Sequence, residues 1–266
     1  QPVPGTLCRP LCCVCRCRTK APKDKDFPIL IKFIDAKQSL SVQVHPDDKY
    51  ALLHEGESGK TEMWYVMDAT PDATLIYGFT HEISHQEFER RIKDNTLLEV
   101  CNQVPIKKGD VFFIEAGTLH AIGAGALIAE IQQSSNSTYR VYDYGRVGKD
   151  GKLRELHIEK ALAVTKLEPP TRKPEPIAKL TAFADYDLTI LAQCELFNVS
   201  HFDLHGNCSL NANKDSFHSI LVLDGQIALT YGNDSFTITK GESVFIPADM
   251  GEYILNGTGE FILTTL

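Results

Sequence analysis

The stretch "SVQVHPDD", residues 41–48, alternates polar and apolar side chains up to a proline and two acids. Period-two spacing puts Leu40, Val42 and Val44 on one face and Ser41, Gln43 and His45 on the other, which predicts a β-strand. Pro46 and the Asp47-Asp48 pair end it. An amide and an imidazole therefore share one strand face immediately before a turn.

The flanking text is also β-rich from Phe27 onward. "FPILIKFIDA" (27–36) predicts a buried strand, "DKYALLHEG" (48–56) a short helix ended by Gly56, and "TEMWYVMDA" (61–69) and "TLIYGF" (74–79) strands. The period then becomes helical. "SHQEFERRIKDN" (84–95) opens with Ser84 and has Glu87 three residues on, a capping box, and Phe88, Arg91 and Ile92 follow at helical spacing. "TLLEVCNQV" (96–104) reads as its continuation, so a helical insertion is expected over 84–103. Strand text resumes at Val111–Ile114, passes the tight loop Ala116-Gly117-Thr118 and His120, and continues over Leu127–Gln132. "RELHIEKALAVT" (154–165) reads as a helix. "KLEPPTRKPEP" (166–176) holds four prolines and predicts a linker, placed at 169–175. A second β-rich unit follows over 176–266, with turns expected at Asp224-Gly225 and Gly232-Asn233. In it "KGESVFIPADM" (240–250) echoes "KGDVFFIEAGT" (108–118), a weak internal duplication that suggests two related β-barrel units.

The 266 residues are 43% hydrophobic and 23% charged, an ordinary globular composition with room for one large domain or two modest ones. The apolar runs are far too short to span a bilayer, which predicts a soluble protein with no membrane partner. A net charge of -8 argues against a nucleic-acid footprint, so an anionic partner needs a local basic pocket. Residues 1–26 hold Cys8, Cys12, Cys13, Cys15 and Cys17, five of the eight cysteines. They lack the apolar core and cleavage site of a signal peptide and read as a disordered or non-native leader, with a soft-metal-binding arm as the alternative. Cys101, Cys194 and Cys208 are too dispersed for a disulfide framework, which points to a reducing cytoplasm.

Three separated segments offer metal ligands: Gln43 with His45, Glu62 at a strand start, and His120 after the loop at 116–118. A carboxylate, two imidazoles and an amide oxygen suit a borderline divalent ion, zinc first. Three strong donors and one weak one leave a position for water or substrate, the pattern of a catalytic site.

Taken together, "LSVQVHPDD", "GKTEMWYV", "GDVFFIEAGTLHAIG" and "EIQQSSNSTYRVYDYGR" followed by "GKLRELH" resemble type I mannose-6-phosphate isomerases in their short bacterial form. The resemblance runs from Phe27 to the C-terminus. It implies a mainly β cupin fold, a double-stranded β-helix or jelly-roll barrel, with a metal-binding cupin over 27–168, the helical insertion, and a metal-free cupin over 176–266. It implies one Zn2+ per chain on Gln43, His45, Glu62 and His120, an active-site arginine at Arg140 and a substrate-contacting lysine at Lys60. The implied reaction interconverts mannose 6-phosphate and fructose 6-phosphate through a cis-enediolate. Residues 139–154 carry five Lys/Arg and two Asp, a local excess that suits a sugar phosphate. Longer relatives have an acid four residues before the arginine. Here Asn136 takes that place, able to orient substrate but not to act as a base, so Lys60, Glu130, His54 and a metal-bound water remain candidate proton carriers. The leader stands where relatives carry a further segment, so the first barrel is expected to lack strands and to expose an edge. Two other functions fit parts of the pattern: a non-catalytic or impaired sugar-phosphate-binding cupin, and an iron(II) cupin dioxygenase.

Overall fold

In a computed structural model that describes residues 27–148 and 151–266, the run from Phe27 forms β1 (Ile29–Ala36), followed by β2 (Val42–Val44) and α1 (Asp48–His54). The cysteine-rich leader lies outside the described residues. The chain continues through β3 (Glu62–Ala69), β4 (Thr74–Phe79), α2 (His85–Lys93), β5 (Cys101–Pro105), β6 (Val111–Ile114), β7 (His120–Ile122), β8 (Ala126–Gln133), β9 (Tyr139–Tyr142) and α3 (Ile158–Val164). Its contacts make one unit of Ile29–Glu175 and a second of Pro176–Leu266, to which Phe27 and Pro28 belong.

The first unit is built of two antiparallel sheets, ordered β1-β8-β3-β6 and β5-β4-β7-β2-β9. Alternation along β4, shifted by an irregularity between Ile76 and Phe79, shows how the core is divided. Leu75 and Tyr77 join Trp64, Phe112, Ile114 and Ile128 between the sheets, whereas Ile76 and Phe79 face outward onto Phe88 and Ile92 of α2. Val42 and Val44 belong to that outer cluster as well, so Gln43 between them is turned toward the barrel interior. The two-sheet arrangement is that expected of a cupin.

The helix signals act in part: the Glu87 carboxylate accepts from Arg91 Nε and does not close a capping box, and α3 begins only at Ile158. The Ser84 hydroxyl accepts from Glu87 N at 3.1 Å and caps α2, and the Asp47 carboxylate accepts from Tyr50 N at 2.8 Å and caps α1. Three expectations need correction. First, "TLLEVCNQV" is not helical beyond a single 3-10 turn at Leu97–Glu99. Its second half is β5, paired with β4, because sheet hydrogen bonds and burial of Val100 and Cys101 outweigh local propensity. Second, β1 is not buried throughout. It pairs only with β8 among the described residues, and Leu30 and Phe33 are 39% and 40% exposed. Third, the proline-rich segment is no free linker. Pro170 packs on Gly78, and the Arg172 guanidinium lies 4.0 Å from the Phe113 ring centroid.

The second unit contains β10 (Thr181–Ala182), β11 (Tyr186–Gln193), β12 (Asn198–Leu204), β13 (Asn207–Ala212), β14 (His218–Tyr231), β15 (Asp234–Thr239), β16 (Ser243–Ile246) and β17 (Gly251–Thr265). Two long strands, β14 and β17, carry its pairing around a core that includes Phe202, Phe261, Tyr253 and Leu255. Gly232-Asn233 is a hairpin turn as expected. Asp224-Gly225 instead stays inside β14, paired with Glu260 and Gly259 just after a bulge at Leu223, and Gly225 takes φ +75°, where a Cβ would meet the Thr258 carbonyl oxygen at 2.4 Å. The internal echo is structural at turn level. The Asp110 carboxylate accepts from Lys107 N and the Glu242 carboxylate from Thr239 N, each acid following a glycine of positive φ and preceding a four-residue strand.

No helix among the described residues is long and apolar enough to cross a membrane. Cys101, Cys194 and Cys208 are free thiols.

Candidate metal centre and active site

One rung of the second sheet carries much of the site. Tyr77, His120, Gln43 and Arg140 are successive cross-strand partners on β4, β7, β2 and β9, so their side chains share the inner face. His45 follows β2 on that same face, and Glu62 enters from the opposite sheet as the first residue of β3. The ligand atoms of His45, Glu62 and His120 all lie within 4.8 Å of one another, and all three residues are buried. His45 Nε2 is 3.3 Å and His120 Nε2 3.8 Å from the Glu62 oxygens.

The histidines are oriented from behind. His45 Nδ1 sits 2.9 Å from the Ser137 carbonyl oxygen, and His120 Nδ1 2.8 Å from that of Thr118. A carbonyl accepts only from an N–H, so each ring carries a proton on Nδ1 and turns Nε2 toward the group. Burial, reinforced by His45, pushes the His120 imidazole down to about 3, which keeps it neutral. Burial alone would raise the Glu62 carboxyl. Its neighbours His45, Lys60 and His120 outweigh that and hold it well below the usual carboxylate range. Lys60 Nζ stands 2.8 Å from Glu62 Oε1 and 3.3 Å from His45 Nε2. Even so, Glu62 Oε1 is buried and accepts no hydrogen bond of good geometry. A buried carboxylate oxygen left so is costly, and a cation between the two imidazoles and the carboxylate would satisfy it. The donor set therefore fits a divalent metal.

Gln43 joins the group through its amide, 3.4 Å from His120 Nε2. Turning that amide over, which preserves its shape, would offer the oxygen as a further donor. Arg140 extends from the next strand, donating to the Ser41 hydroxyl and to the Glu155 carbonyl, and Arg146 and Arg154 are both tied to Asp143. Asn136 is not in the buried group. It is exposed between β8 and β9 and engages Glu57 through its backbone N–H. His54 is likewise exposed, stacked on Tyr50 with ring centroids 4.1 Å apart. Glu130 is buried on β8, and its carboxyl is raised by burial and by Glu62 against the pull of Lys32. Lys32 and Trp64 belong to this neighbourhood and were missed in the sequence. The available signal was a lysine set inside the apolar run "ILIKFI".

In the second unit the histidines are spread. His201 lies 3.5 Å from Glu260, His205 is exposed, and His218 exchanges a hydrogen bond with the Tyr253 hydroxyl at 2.7 Å.

The chain is similar to known proteins in sequence and in fold. A family model for the catalytic domain of type I phosphomannose isomerase matches residues 15–75, and one for the cupin domain of mannose-6-phosphate isomerase matches residues 187–266. The chain is 40% identical over 241 residues to mannose-6-phosphate isomerase ManA of Bacillus subtilis (strain 168), covering 90% of this chain and 75% of that protein. It is 37% identical over 241 residues to mannose-6-phosphate isomerase of Streptococcus mutans, covering 90% and 74%. The crystal structure of mannose 6-phosphate isomerase from Bacillus subtilis superposes with a TM-score of 0.84 at 34% identity, over 90% of this chain and 76% of that one. A phosphomannose isomerase structure from Salmonella typhimurium shares the fold, with a TM-score of 0.71 at 16% identity, over 89% of this chain and 78% of that one.

Proposed function

The chain belongs to the type I phosphomannose isomerases, and on that premise we propose that it interconverts mannose 6-phosphate and fructose 6-phosphate with one Zn2+ held by His45, Glu62 and His120, joined by Gln43. The observation that carries this is the convergence of three buried donor atoms within 4.8 Å, with both imidazoles fixed at Nδ1. A divalent cation held there would supply positive charge against the negative charge that develops on the sugar oxygens during isomerisation.

The chain's own residues do the rest. Lys60, already beside Glu62 and His45, donates from Nζ to a sugar oxygen at the reacting end. Arg140 shares a rung with Gln43 and adds a fixed positive charge facing the same interior. The arginine-rich segment around it favours the phosphate. Barrel walls of Trp64, Phe112, Ile114 and Ile122 keep the surroundings apolar and strengthen these charges. The test is an isomerase assay with Zn2+ quantified in the same purified sample. Turnover that tracks metal content supports the reading, and full turnover after complete metal removal overturns it.

The exposed Asn136, standing where longer relatives have an acid, favours a second reading: a sugar-phosphate-binding protein with impaired chemistry. Such a protein would bind mannose 6-phosphate without exchanging its C2 proton with solvent deuterium. Metal analysis with an oxygen-uptake assay separates both readings from an iron(II) dioxygenase.

A further inference from the structure

Trp64, the chain's single tryptophan, is buried and bridges two carboxylates. Its Nε1–H donates to Glu62 Oε2 at 3.2 Å and to Glu130 Oε2 at 3.0 Å. Its ring stands edge-on to His120, with centroids 5.3 Å apart and planes at 79°. One side chain thus touches two of the three residues grouped as ligands. The anchor reaches outward from there. Lys32 Nζ donates to Glu130 Oε1 at 2.9 Å and also to Gln132 Oε1, and its side chain is 38% exposed where that of Glu130 is 6%. The register explains the line of contacts. Lys32, Glu130 and Trp64 are cross-strand partners on β1, β8 and β3, so they share one face, and Glu62 lies two residues before Trp64 on that face.

We propose that Trp64 is a positioning residue for Glu62 and His120, itself anchored through Glu130 by Lys32. The proposal rests on the metal reading above. A carboxylate can rotate about its terminal bond. An N–H on Oε2 stops that rotation and leaves Oε1 facing His45 Nε2 and Lys60 Nζ. The indole edge limits the tilt of His120 in the same way. Without the N–H the Glu62 carboxylate is free to rotate about its terminal bond, and the ligand set is no longer preformed.

Trp64→Phe keeps an aromatic ring and removes the N–H. Zn2+ is titrated against a competing chelator into the metal-stripped full chain, wild type and variant, with folding followed by circular dichroism. Outer hydrogen-bond partners of metal ligands are worth about 10–100-fold in affinity, so W64F is expected to bind Zn2+ more weakly by that factor. Its kcat at saturating Zn2+ is expected to recover, because the loss lies in holding the metal. Wild-type affinity in folded W64F overturns the proposal. A measurement without a substitution at the site guards against misfolding: Zn2+ binding to the wild type should change the emission of Trp64, and Lys32→Met should shift that emission in the metal-free protein and blunt the Zn2+ response. Chelator competition that detects binding while Trp64 emission stays constant also overturns it, and an unchanged response in K32M overturns the anchoring. Absence of Zn2+ binding by the wild type is a different failure, that of the site assignment itself.

Discussion

His120 is held by three kinds of contact at once: a backbone carbonyl at Nδ1, the Trp64 edge, and the ligand cluster at Nε2. His120→Ala should therefore abolish bound Zn2+ and turnover together, measured by elemental analysis and isomerase assay. Arg140→Ala removes a charge that touches no ligand atom, so Zn2+ content should be unchanged while kcat/KM falls about 100-fold, as when a preorganised donor to a developing oxyanion is lost. Lys60→Met separates the two effects further. The Lys60 ammonium opposes a cation beside Glu62, so the variant should hold Zn2+ at least as tightly as wild type yet lose about 100-fold in turnover; weaker metal binding in K60M would count against the assigned role. At this scale the sequence was informative where one strand carried both halves of the signal. Val42 and Val44 demanded an apolar partner, and that alone oriented Gln43 and His45. Lys32 was illegible because its meaning lies in Glu130, ninety-eight positions away, and a single strand does not display its register with another.

Among the elements, α2 shows how a local signal and a tertiary one combine. The Ser84 cap satisfies one helix-end N–H, and Ser84→Ala should cost about 1 kcal/mol. Phe88 is fully buried against Phe79, and Phe88→Ala should cost about 3–5 kcal/mol, both read from the urea midpoint of the full chain. If the two substitutions cost the same, the packing account of α2 is wrong. The Ser84 cap was readable because both partners lie within one turn. The residues after Asn95 were not, since leucines and a glutamate favour helix while pairing with β4 requires strand, and the pairing partner is remote in sequence. The same limit made Asp224-Gly225, which runs on inside β14, look like a chain-reversing turn. A left-handed glycine after an acid looks alike in both, and only the continuing ladder of β14 with β17 distinguishes them.

For the molecule as a whole, titration of His218 provides a test of the second unit. Burial pushes its imidazole from 6.5 down to about 4. Between those values the unfolded chain takes up a proton that the folded chain refuses, so stability is complete above pH 6.5 and declines as pH falls toward 4. The urea midpoint should drop more steeply from pH 7 to pH 5 in wild type than in His218→Gln; equal slopes would show that the ring titrates freely. The two-unit plan was visible in the repeated Lys-Gly-acid turn, while the course of the chain past the prolines was not, because proline marks irregular backbone without saying what it packs on. A last consequence follows from the alternation of Val42, Gln43 and Val44. Chain length in this strand is an all-or-nothing variable. One codon inserted just ahead of Gln43 would turn Val44 toward the barrel interior and bury an amide and an imidazole among hydrocarbon, forfeiting chemistry and cohesion in a single step. A library of one-residue insertions across residues 35–50, selected for growth on mannose, should accordingly return survivors in the connecting turns and none within 42–45.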